Sequence, residues 1–76
     1  RTLLAAKAAL ERGDPAPEVI DDATRRLADA GFTPDYVELA GADLGPVTPA
    51  TREAVLLAAA RLGPARLIDN ITVTLG

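Results

Sequence analysis

The side chains that could do chemistry fall into three groups. The first is Arg66-Leu67-Ile68-Asp69-Asn70, where a guanidinium, a carboxylate and an amide interleave with two large aliphatic residues. Arg forks onto carboxylates and phosphates, while the short side chains of Asp and Asn bond nearby backbone N–H groups. Arg66, Asp69 and Asn70 are therefore candidates to touch a ligand or a neighbouring domain. The plainer expectation is that they fix a turn, with Asp69 pairing Arg66. The second group, Glu18, Asp21 and Asp22, offers oxygens to a hard cation. Acids near a helix start also complement the helix dipole, and Asp21 to Arg25 and Asp22 to Arg26 are spaced as i,i+4 ion pairs, which is the expected role. The third group is scattered: Lys7, the lone lysine, read as a solvated helix residue rather than a phosphate contact; Tyr36, read as half-buried with its hydroxyl at the surface; and Glu38, which has no evident partner to tune it.

Absences narrow the chemistry further. The chain has no His, no Ser and no Cys. A catalytic triad, a His-ligated metal and a thiolate metal site are thereby excluded, and little is left for acid-base or covalent catalysis near neutral pH. Gly41, Gly45 and Gly63 lie apart and none precedes Lys, so no Gly-rich phosphate loop is present. The net charge of −3, without a basic cluster, argues against nucleic acid as a partner. No apolar run approaches the roughly 20 residues that span a bilayer, so no membrane association is expected. The lack of Cys is compatible with a reducing cytoplasm.

These side chains must be positioned by a small number of elements. Seventy-six residues, 49% of them hydrophobic, suit one small domain with an aliphatic core. Arg1 to Arg12 has helical periodicity, with Leu3, Ala6 and Leu10 on one face, Leu4 and Ala8 beside them, and Gly13 where a helix would end. Asp14-Pro15-Ala16-Pro17 launches a second helix, either capped by Asp14 with Pro15 in its first turn or beginning nearer Pro17. Its apolar face is Ile20, Ala23, Leu27 and Ala30, and Gly31 ends it. Phe32 to Ala40 alternates as a strand, with Val37 and Leu39 on one side and Tyr36 and Glu38 on the other. Gly41 to Thr51 is a loop. Arg52 to Leu62 is ambiguous: propensity and a possible cap at Thr51 favour helix, yet a strand buried on both faces is also a continuous apolar run. Gly63-Pro64 breaks the chain, a turn carrying Arg66, Asp69 and Asn70 is expected next, and a final strand starts at Ile71 with Ile71, Val73 and Leu75 on one face.

Two blocks carry a family resemblance. Arg61-Leu62-Gly63 with Arg66-Leu67-Ile68-Asp69-Asn70, and Asp35-Tyr36-Val37-Glu38-Leu39 with Leu44-Gly45-Pro46-Val47, resemble in order and spacing the C-terminal domain of the pantothenate synthetases, or pantoate–β-alanine ligases. The resemblance covers essentially all of residues 1–76. It implies that Arg52 to Leu62 is a strand. The fold is then α+β, two helices packed on a small, mostly antiparallel three-stranded sheet. It further implies a piece of a larger cytoplasmic enzyme, as the start at Arg1 within a helical pattern also suggests. That enzyme would join pantoate to β-alanine with ATP and Mg²⁺ through a pantoyl-adenylate. Its catalytic residues would lie on an N-terminal nucleotide-binding (Rossmann) domain, which would also carry most contacts of a homodimer. These residues would form a lid, inactive alone and binding no cofactor of their own, with Arg66, Asp69 and Asn70 as candidate contacts to that domain, nucleotide or pantoate. The alternative is a free-standing, non-catalytic α+β module that binds a protein through its aliphatic face.

Overall fold

The computed structural model describes residues 2–75 and gives the order α1 (Thr2–Glu11), α2 (Ala16–Asp29), β1 (Thr33–Gly41), β2 (Glu53–Leu62) and β3 (Ala65–Thr74). The expected start of the first helix at Arg1 lies outside the described residues. Leu3, Ala6 and Leu10 are the buried stripe of α1, as their spacing requires, whereas Leu4 and Ala8 face solvent. In α2 the buried residues are Val19 and Ala23, with Ile20 and Leu27 half-buried; Ala30 is exposed at the C-cap. Asp14 does not cap this helix. Pro15 occupies the cap position without a side-chain bond, and Asp14 instead pairs with Arg12 at 2.9 Å. Both helices end in the reciprocal N–H···O=C pattern that follows a left-handed residue: Asp14 to Ala9 and Gly13 to Leu10, then Phe32 to Leu27 and Gly31 to Ala28.

The three strands form an antiparallel meander in the order β1-β2-β3. The α+β class expected from the sequence is thus observed, with every strand pairing antiparallel. Arg52 to Leu62 resolves as strand β2 from Glu53 onward, against its Ala- and Leu-rich helix propensity. Being the central strand, it gains ladder bonds on both edges, and that tertiary pairing outweighs a local preference of a few tenths of a kcal/mol per residue. Ala54, Leu56 and Ala58 point at the helices and join Val37, Val73 and the buried residues of α1 and α2 in one core. Leu56 is fully buried.

The last strand departs most from expectation. It begins at Ala65, six residues before Ile71, and the intervening turn is only Gly63-Pro64. Leu62 pairs with Ala65, so two residues close the hairpin. Gly63 at φ +59 followed by Pro, with its fixed negative φ, suits such a tight connection. With so short a turn the two arms stay in register, and Arg66 to Asn70 are drawn into the ladder opposite Leu57 to Arg61. Ile71 and Val73 do face the core, as read. No helix among the described residues is long and apolar enough to cross a membrane.

Candidate functional site

Strand alternation decides where each candidate lies. Arg66, Ile68 and Asn70 share one face of β3, and Leu67, Asp69 and Ile71 share the other. The second face is the helix-covered one, since Ile71 packs on the core and Asp69 lines a cleft with Thr2, Leu3, Leu27, Phe32, Ala58, Ala60 and Leu67. Arg66, Asp69 and Asn70 are therefore not a single site. Nor do they form a turn, and Arg66 does not pair with Asp69. Asn70 donates its backbone N–H to Asp69 Oδ1 at 2.9 Å, the local bond that short acidic side chains favour.

The partner of Arg66 is Asp35. Arg61 and Arg66 are opposite each other across the β2–β3 hairpin, a like-charge pair that would repel. In β1 the register slips between Pro34 and Tyr36, so Asp35 is the extra residue of a bulge. Its carboxylate is thereby delivered to both guanidiniums. Oδ1 accepts from Arg61 Nη2 at 2.8 Å and Nε at 3.2 Å, and Oδ2 accepts from Arg66 Nε at 3.2 Å. Hydrogen bonding from Arg61 acts most strongly on the Asp35 carboxyl and burial opposes it, while the charge of Arg61 and the bond and charge of Arg66 help hold it below the usual aspartate value. One acid thus ties all three strands together at the hairpin end of the sheet.

Asp35 and Arg61 stand in the two family blocks, where residue type alone assigns neither a role. The signal was available. Once Gly63-Pro64 is taken as a two-residue hairpin turn, Arg61 and Arg66 become neighbours, and an acid beside them is favoured. The same open face carries Tyr36, in register with Ala59 and through it Ile68, and Glu38, in register with Leu57 and through it Asn70. Tyr36 is 37% exposed, in keeping with the half-buried reading.

Lys7 is not simply solvated. Its Nζ donates to the Thr72 carbonyl at 2.7 Å and pairs with Glu11 at 3.2 Å, while Glu11 Oε2 accepts the Thr74 N–H at 3.0 Å. Together they cover backbone groups on the outer edge of β3. Within the Glu18, Asp21 and Asp22 group, Asp22 is held by arginines, accepting from Arg26 Nε at 2.7 Å and from Arg25 Nη2 at 3.4 Å. Arg25 thus bonds the acid three residues before it rather than Asp21. Among the described residues no cluster of three or more acids suits a metal ion. The donor set of the described residues does not fit Mg²⁺.

The arrangement therefore offers a sheet braced at its hairpin end, with one face free of helices. The two motif blocks, separated in sequence, are brought together by Asp35, Arg61 and Arg66. Comparisons with known proteins give the family. The model of the family described as pantoate-beta-alanine ligase matches residues 1–72. The pantothenate synthetase of Chromohalobacter salexigens is 51% identical over 76 residues, covering 99% of this chain and 27% of that protein; that of Stutzerimonas stutzeri is 48% identical over a similar span. A crystal structure of pantothenate synthetase from Thermus thermophilus superposes with a TM-score of 0.77 at 29% identity, over 93% of this chain and 26% of that one. The chain spans about a quarter of the length of the relatives it matches, and it belongs to the pantoate-beta-alanine ligase family, as a fragment of the C-terminal domain.

Proposed function

We propose that these residues are the lid-like C-terminal domain of an ATP-dependent ligase that condenses pantoate with β-alanine through a pantoyl-adenylate. The carrying observation is that the two family blocks converge on a single structural cluster, Asp35 with Arg61 and Arg66, which braces the sheet. ATP, Mg²⁺ and both acids would be held by a nucleotide-binding domain elsewhere in the polypeptide. A chain with no imidazole, thiol or serine hydroxyl has little with which to run an adenylation alone. A stiff cover contributes by excluding water, which would otherwise hydrolyse an acyl-adenylate. Arg66 serves by keeping that cover rigid.

The test uses the complete polypeptide. It is expected to form pantothenate with release of AMP, while the 76-residue chain alone gives none. Ligation by the short chain would overturn the division of labour, and none by the complete one would overturn the ligase reading. Within the complete enzyme, Arg66→Ala is expected to lower the melting temperature with turnover at ordinary temperature preserved. Lost turnover at unchanged stability would instead assign Arg66 to ligand contact.

A further inference from the structure

A tight turn carries the chain from β1 into the loop that leads to β2. The Gly41 N–H donates to the Gly45 carbonyl and the Leu44 N–H to the Gly41 carbonyl, both at 2.8 Å, while Asp43 Oδ1 accepts the Gly45 N–H at 2.9 Å. The Asp43 carboxylate is so close that a Cβ at either Gly41 or Gly45 would stand 3.0 Å from Oδ1. Three hydrogen bonds and two bare α-carbons thus fix the turn. Inside it Leu44 has φ +66, the one non-glycine residue among those described with a positive φ. Bulky side chains rarely adopt this conformation, whereas Gly, Asn and Asp take it readily. The turn uses glycine at 41 and 45, yet it places leucine at the position where glycine fits best.

Burial within these residues does not offset that strain. Leu44 is 70% exposed, the most of any large apolar side chain among the described residues. A lone exposed leucine is ordinary on a protein surface. One held outward by a strained and braced backbone is not, because such strain persists where a side chain is needed for itself. From Ala42 to Thr51 the only charged residue is Asp43, and its carboxylate is spent on the Gly45 N–H. Val47, 37% exposed, extends the apolar tip.

We propose that Leu44 is an anchor that seats in an apolar recess on the nucleotide-binding domain of the complete ligase. The inference rests on the reading that these residues are one domain of a longer ligase. This chain covers 27% of the Chromohalobacter salexigens relative, so most of a polypeptide of that length is available to supply the recess. The uncharged tip loses little hydration on entering it, and the fixed turn spares the entropy of ordering a loop on contact.

The experiment has two arms, both in the complete enzyme. In the first, a photo-reactive benzoylphenylalanine replaces Leu44, and the cross-linked peptides are mapped by mass spectrometry after irradiation. The expected product joins position 44 to the nucleotide-binding domain of the same polypeptide. Links confined to residues 1–76, links to a second copy, or none would overturn the proposal. In the second, Leu44→Asn relieves the strain and removes the apolar contact, so a melting temperature no lower than that of the unsubstituted enzyme is expected together with ligation slowed several-fold. Leu44→Met, which keeps an apolar tip, should ligate normally. An Asn variant with normal ligation, a loss that follows a lowered melting temperature, or a Met variant as slow as the Asn variant would each overturn the anchor. The unsubstituted enzyme is assayed alongside. Its failure to form pantothenate would break the ligase reading, while the cross-link would still report where Leu44 lies.

Discussion

The two halves of β3 share one partner strand and one hydrogen-bond ladder, yet their surroundings are opposite. From Ile71 to Thr74 the strand lies under α1: Val73 is 2% exposed, and Lys7 and Glu11 bond the outer-edge backbone groups of Thr72 and Thr74. From Ala65 to Asn70 every residue is exposed, including Leu67 and Ile68. Leu67 and Ile71 share the helix-side face, so their difference does not come from residue type, both being large aliphatics. It comes from length. The ten described residues of α1 rise about 15 Å beside about 33 Å of β3, so they cover only part of the strand. The covered half is held by burial and the open half by the ion-pair brace at Asp35.

The largest test of that contrast is in the core. Leu56→Ala is expected to cost about 2–5 kcal/mol, because it removes a fully buried side chain and leaves a cavity between sheet and helices. Leu67→Ala in the same chain should cost about 1 kcal/mol or less, since half of that side chain is already in water. Urea unfolding of both variants measures the ratio, and equal losses would erase the distinction. The hairpin turn comes next. Gly63→Ala places a Cβ in open space but at φ +59, so only backbone strain is added, about 1–2 kcal/mol by the same unfolding measurement.

Edge protection should be visible by amide exchange. Glu11→Ala removes the acceptor of the Thr74 N–H, and that amide is expected to exchange several-fold faster while the Leu56 amide is unchanged. The smallest effect is on the acid limb of stability. Asp35 has its pKa lowered in the folded state, first by the Arg61 bonds, so protonation favours the unfolded chain. Its contribution is therefore complete above the ordinary value of 3.8 and is lost as pH falls through the lower folded value. Asp35→Asn should flatten that part of an acid titration followed by circular dichroism, and an unchanged limb would deny Asp35 its bracing role. Glu11 and Asp22 are lowered in the same sense and add to that limb.

Much of this was legible in the residues. The buried stripe Leu3, Ala6 and Leu10 follows from helical spacing, and Gly13 and Gly31 mark the ends of both helices. The two family blocks identified the lineage that the comparisons establish. What escaped was the run from Arg66 to Asn70, read as a turn because Asp and Asn favour turns locally. In the fold their strand conformation is imposed by Leu57 to Arg61 across a two-residue connection. Lys7 escaped for a related reason. A lone lysine on a helix looks solvated until a strand edge 65 residues away supplies a carbonyl.

By itself the sequence determined the helices, the aliphatic core, the family and the poverty of catalytic side chains, since each depends on residue type or short-range spacing. The strand at Arg52 to Leu62 was legible only through the family resemblance, against local propensity, and tertiary structure alone decided that Asp35 and not Asp69 neutralises Arg66 and that the candidates divide between two faces of the sheet. Those outcomes depend on which segments become neighbours. Ladder pairing and ion pairing act through space over a few ångströms, and a chain's local preferences carry no record of what will lie that close.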